Sequence, residues 1–63
     1  MKGTFFACEY WDSEIYGWIK FYYSRDLEDC IRNQDAAIFG DPKTRLSKWE
    51  VNGKKWKLIE VIN

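Results

Sequence analysis

Read for its hydrophobic and polar positions, the chain divides into five segments. Residues 4–11 (TFFACEYW) alternate as a strand does, with Phe6, Cys8 and Tyr10 on one side and Phe5, Ala7, Glu9 and Trp11 on the other. The polar run Asp12-Ser13-Glu14 has the length of a hairpin connection. A second β-branched and aromatic run follows at residues 15–23 (IYGWIKFYY). Unbroken alternation there puts Ile15, Gly17, Ile19, Phe21 and Tyr23 on one side and Tyr16, Trp18, Lys20 and Tyr22 on the other, wetter side. Gly17 within a strand signals a bulge, or a place where something bulky crosses the backbone.

The period then lengthens. Leu27, Cys30, Ile31, Ala37 and Ile38 recur as one buried helix face does, with Gln34 the polar exception on that stripe. Ser24 is placed to cap the first turn, and Asp26, Glu28 and Asp29 put negative charge where a helix dipole favours it. Gly40 suits a left-handed stop and Pro42 forbids continuation, so the pattern predicts a helix over residues 25–39. An earlier stop near Asn33 would leave residues 36–39 as a short strand. Two further strand-like runs, residues 46–51 and 54–62, flank Asn52-Gly53, a pair suited to a two-residue type I′ turn. Counting outward from that turn, Val51 faces Lys54 and Trp49 faces Trp56 across the strands. The predicted fold is a small α+β domain over residues 1–63, ordered β-β-α-β-β. Its antiparallel sheet has about four strands, with one helix packed on one face.

Composition sharpens this picture. A chain of 63 residues buries only about 60% of its unfolded surface. Four Trp, four Tyr and four Phe supply large apolar area for a core of that size, which excludes a disordered chain. They also exceed what one thin core absorbs. Some of Tyr10, Trp11, Tyr16, Trp18, Tyr22, Tyr23 and Trp49 are therefore expected at the surface. Ten Lys and Arg balance ten Asp and Glu, which argues against a dedicated nucleic-acid binder and against an acidic mimic of DNA. Cys8 and Cys30 are too few for a disulfide scaffold, and without histidine they do not make a zinc site. They read as small buried apolar residues, with a single disulfide as the alternative. No apolar run approaches the roughly 20 residues of a membrane span, and no apolar leader opens the chain, so the expected location is the cytoplasm.

Candidate chemistry is sparse. The absence of histidine removes the usual general base near neutral pH. No nucleophile elbow, phosphate-binding loop or dinucleotide glycine pattern is present. No catalytic residue, cofactor or metal ligand is expected. Asp26, Glu28 and Asp29 read as a helix start, and Glu9, Asp12 and Glu14 as solvated charge near the first hairpin.

Two binding surfaces remain. The first is a protein-binding face on the first hairpin, formed by Tyr16, Trp18 and Tyr22 with neighbouring Trp11, since Trp and Tyr dominate interface hot spots. Size and layout suit a small phage- or mobile-element-type protein that blocks a larger enzyme or complex. The alternative is a single-stranded nucleic-acid site on the last hairpin. There Lys48, Lys54, Lys55 and Lys57, near Lys43 and Arg45, would meet phosphates while Trp49 or Trp56 stacks on bases. A homo-oligomer that pairs edge strands or aromatic faces is the third reading.

Overall fold

The computed structural model describes residues 1–36 and 43–62. Its elements follow one another as β1 (Lys2–Ser13), β2 (Gly17–Ser24), α1 (Leu27–Ala36), β3 (Thr44–Asn52) and β4 (Lys55–Val61). The strands make one antiparallel sheet in the order β2-β1-β3-β4, with α1 packed against β1, β2 and β3. This agrees with the element order and the helix-on-sheet architecture expected from the sequence. β1 pairs on both sides, and Phe5, Ala7, Cys8 and Glu9 at its centre are all buried.

The helix closes the face that carries Phe6, Cys8 and Leu46. Leu27, Cys30 and Ile31, one turn apart on α1, pack there together with Phe21 and Tyr22. Each large side chain buried fully in such a cluster contributes roughly 1.5–3 kcal/mol. The two cysteines are free thiols, both buried in this contact. Cys8 Sγ donates to the Cys30 carbonyl at 2.8 Å, and Cys30 Sγ to the Phe6 carbonyl at 3.3 Å. Burial is the main cause that pushes the Cys8 thiol up to about 12, so both sulfurs act as small packing groups.

The helix starts later than residue 25, and its cap is Asp26 rather than Ser24. Asp26 Oδ1 accepts from the Glu28 amide at 3.0 Å, while Ser24 Oγ accepts from the Asp26 amide at 3.0 Å, forming the approach turn. Arg25 is held away from a helical path. Its guanidinium lies 4.5 Å over the Phe5 ring and donates to the Lys2 carbonyl at 2.9 Å. The expected continuation through Ala37, Ile38 and Phe39, with Gly40 and Pro42 as its stop, lies outside the described residues.

Both hairpins differ from their expected registers. In the first, Ser13 pairs with Gly17 and the connection is residues 14–16, so Ile15 and Tyr16 lie in the turn rather than in a strand. Gly17 has φ +66°, the left-handed residue that closes a three-residue loop with a bulge. Gly17 therefore does mark an irregularity, but at the strand's end. In the second, Asn52 pairs with Lys55, which centres the turn on Gly53 and Lys54. Gly53 has φ +65° and no non-glycine residue among the described ones has positive φ, the pattern of a type II′ rather than a type I′ turn. The turn centre moves by one residue, so each partner moves by two: Val51 faces Trp56, and Trp49 faces Leu58. Trp49 and Trp56 still touch as diagonal neighbours, with ring centroids 6.1 Å apart.

A bulge in β2 changes its faces. Cys8 pairs with Tyr22 and Glu9 with Lys20, leaving Phe21 as the extra residue. Phe21 and Tyr22 both pack into the helix-side cluster, whereas Trp18, Lys20 and Tyr23 belong to the other face. A second irregularity in β4, at Ile59, lies between the pairs Trp49–Leu58 and Lys48–Glu60.

Candidate functional site

The face away from α1 has no second element on it among the described residues, and its own side chains cover it. Glu9 is its polar centre, with 1% of its surface exposed. Its Oε1 accepts from Arg45 Nε at 3.1 Å and from Ser47 Oγ at 2.5 Å. Ser47 Oγ in turn accepts from Trp49 Nε1 at 2.8 Å. The serine hydroxyl thus passes a hydrogen bond from the indole to the carboxylate, which fixes the Trp49 ring. A buried carboxylate is stable only when paired in this way. Glu9 therefore does not belong with Asp12 and Glu14 as solvated loop charge. The reason is that β1 is an inner strand, which sets Glu9 on the open face between Lys20 of β2 and Arg45 of β3.

Around this centre, cations lie on ring faces. Arg45 sits 4.4 Å over Trp18, Lys20 Nζ is 3.8 Å from the Trp49 centroid and 5.5 Å from that of Trp56, and Arg25 covers Phe5. A cation on an indole contributes about 0.5–1 kcal/mol when exposed and about 2 when desolvated. The rings also meet edge to face: Trp11 with Trp18 at 5.4 Å and Tyr23 with Trp56 at 5.3 Å. Tyr23 and Trp56 stand on opposite edge strands, three strand spacings or about 14 Å apart. Their contact means that the two rings lean inward across Phe5, which both touch. At the β2 edge they leave an open groove of about 370 Å³ lined by Lys20, Phe21, Tyr22, Tyr23 and Trp56.

The residues expected to form a protein-binding face divide between three places. Trp11 and Trp18 are together on the open face, at the turn end of the first hairpin. Tyr16 projects from the turn beside them, 70% exposed, next to Ile15 at 86%. Tyr22 is on the opposite side, where its hydroxyl donates to Asp29 of α1. That bond holds the Asp29 carboxyl below its ordinary range and raises the Tyr22 phenol above its own. The bulge at Phe21 is the reason, since it reverses the alternation between Trp18 and Tyr22.

The lysine–tryptophan grouping does not assemble. Lys48, Lys55 and Lys57 pair with Phe6, Asn52 and Glu50, positions on the face opposite Trp49 and Trp56, and Lys54 is in the turn. The cations that share the tryptophan face are Lys20, Arg25 and Arg45. The grouping expected from the sequence includes Arg45 but neither Lys20 nor Arg25; Lys20 meets Trp49 and Trp56 from β2, across a strand order that no local pattern encodes. Among the described residues no three His, Cys, Asp or Glu side chains are grouped to hold a metal ion. No helix among them is long and apolar enough to cross a membrane.

Against protein-family models, curated proteins and solved structures the chain finds no match, so its function is argued from this surface alone.

Proposed function

We propose that this chain is a small non-catalytic protein-binding module. It grips a larger partner with the turn end of its first hairpin, Trp11, Ile15, Tyr16 and Trp18, and acts by covering the surface it binds. The observation that carries the reading is the exposure of Ile15, Tyr16 and Trp11 at 86%, 70% and 39%, side by side at one tip. A hairpin turn is ordinarily polar, and three large apolar side chains held together in water are costly unless a partner covers them. Trp and Tyr are the residues that anchor interfaces, because they bury large area with few rotatable bonds.

The state of the rings favours a protein over a single-stranded nucleic acid. Bases stack on free ring faces. Here Trp18, Trp49 and Phe5 each carry a cation on a face, and Trp56 is packed among Phe5, Tyr23 and Trp49. The test is capture of partners by the tagged chain from lysate of the cells that naturally make it, after nuclease treatment, compared with Trp11→Ala/Tyr16→Ala. A stoichiometric protein retained by the parent chain and lost by the folded variant supports the reading. Equal recovery by both removes the hairpin tip from consideration.

A further inference from the structure

The charges of this chain are sorted by surface. The totals cancel, yet among the described residues the paired strand positions of the open face carry Lys20 and Arg45 and one carboxylate, Glu9, with Arg25 lying over Phe5 on the same face. That carboxylate is buried and committed to Arg45 and Ser47. Lys20 and Arg25 form no ion pair among the described residues. The acids Asp26, Glu28 and Asp29 begin α1 on the other side of the sheet, and Glu50 and Glu60 also lie on the face away from Trp49. The aromatic face is thus cationic on a neutral protein, and its cations are held in place by the rings beneath them.

We infer that this face receives an acidic, apolar-rich segment of a protein partner, with a carboxylate meeting Lys20 and an apolar side chain entering the groove that Tyr23 and Trp56 line at the β2 edge. This rests on the protein-binding reading above and adds the partner's chemistry to it. Lys20 Nζ is fixed over Trp49 by its ring contact, so less side-chain entropy is lost when an anion arrives. The groove of about 370 Å³ next to it lies at the small end of ligand-site volumes, about 300–1,000 Å³. Its walls are mostly aromatic, so it selects an apolar side chain flanking the acid. A base or a phosphate chain lacks this match, since the ring faces are already occupied.

The probe is a fluorescein-labelled peptide of alternating Glu and Leu, compared with the same design carrying Lys for Glu and with labelled oligo(dT). Anisotropy should show binding of the Glu–Leu peptide alone, weakening as salt is raised because the cations are partly exposed. Lys20→Met keeps the apolar stem and should weaken binding about tenfold, the scale of one charge-assisted hydrogen bond. Lys57→Met, on the opposite face, should leave it unchanged. Comparable binding of the Lys–Leu peptide, tighter binding of oligo(dT), or indifference to Lys20→Met in a folded protein would each overturn the inference. If the peptides fail while Trp11→Ala/Tyr16→Ala still abolishes capture of a protein partner, the acidic chemistry falls and the docking tip stands. If both fail, the whole reading falls.

Discussion

On one face of this sheet a second element closes the core; on the other, the side chains close it themselves. Toward α1, Cys8, Cys30 and Leu46 are buried by a helix that meets the sheet with Leu27, Cys30 and Ile31, while Asp29 and Gln34 hydrogen-bond to Tyr22 and Thr44 beside them. On the open face a fixed ion pair and a hydrogen-bonded serine anchor one indole, and three cations then cover the rings. Closure by a helix depends on the volume and shape of the side chains it covers. A layer of rings and cations depends on each member's orientation, and it also leaves chemistry at the surface. This is why the binding surface is sought on the open face.

Adjacent residues on β3 allow the two faces to be broken separately. Arg45→Met should have the largest effect, about 3–5 kcal/mol of unfolding free energy, because it leaves the Glu9 carboxylate buried and unpaired. Glu9→Met/Arg45→Met together should recover most of it. A loss below about 1 kcal/mol for the single variant, measured by denaturant unfolding, would mean that the pair behaves as a surface ion pair. Leu46→Ala, pointing the other way, should cost about 2–5 kcal/mol by leaving a cavity under α1. In equilibrium spectra it should loosen helix signal before tryptophan emission, whereas Arg45→Met should do the reverse.

Lys20→Met should cost less, about 0.5–2 kcal/mol, and alter tryptophan emission with unchanged secondary structure. A stability equal to the parent would show that the ammonium is not held on the ring. Tyr22→Phe probes the helix side by pH. Asp29 is held below its ordinary 3.8, so its contribution is present above that pH and is lost as pH falls through its folded value. Tyr22 is raised above its ordinary 10.0, so its contribution is complete below that pH and is lost as pH rises through its folded value. The stability difference between parent and variant should be level across neutral pH and shrink at both ends. A difference that grows in acid would contradict the bond. The smallest effect belongs to Trp11→Ala/Tyr16→Ala at the hairpin tip, where Tyr16 touches solvent on most sides. Melting should move little while partner capture is lost.

Much of this was legible in the chain. The alternation in residues 4–11 puts Phe6 and Cys8 on one face and Phe5 and Glu9 on the other, and β1 keeps them so because it runs without a bulge through that stretch; which of the two faces α1 covers is not written in the alternation. Leu27, Cys30 and Ile31 give the buried stripe of α1 through helical spacing alone. The candidate site was legible only in part. Trp11 and Trp18, expected as neighbours on one surface, do lie together, but Tyr22 leaves their side because strict alternation has no term for the extra residue at Phe21. Lys48, Lys55 and Lys57 interleave with tryptophans in sequence, and for that same reason alternation sends them to the opposite face.

The sequence by itself determined the order of elements, the helix stripe and which residues of β1 share a face, all of which follow from local periodicity and turn chemistry. Only the tertiary structure decided the strand order, the bulges in β2 and β4, the burial of Glu9 and the seat of Lys20 on Trp49. The bulges depend on pairing across each hairpin, and the rest on contacts between segments far apart in the chain, as with Glu9 and Arg45 separated by 36 positions. The free energy that selects such pairings comes from burial and hydrogen bonding across strands, which no local window contains.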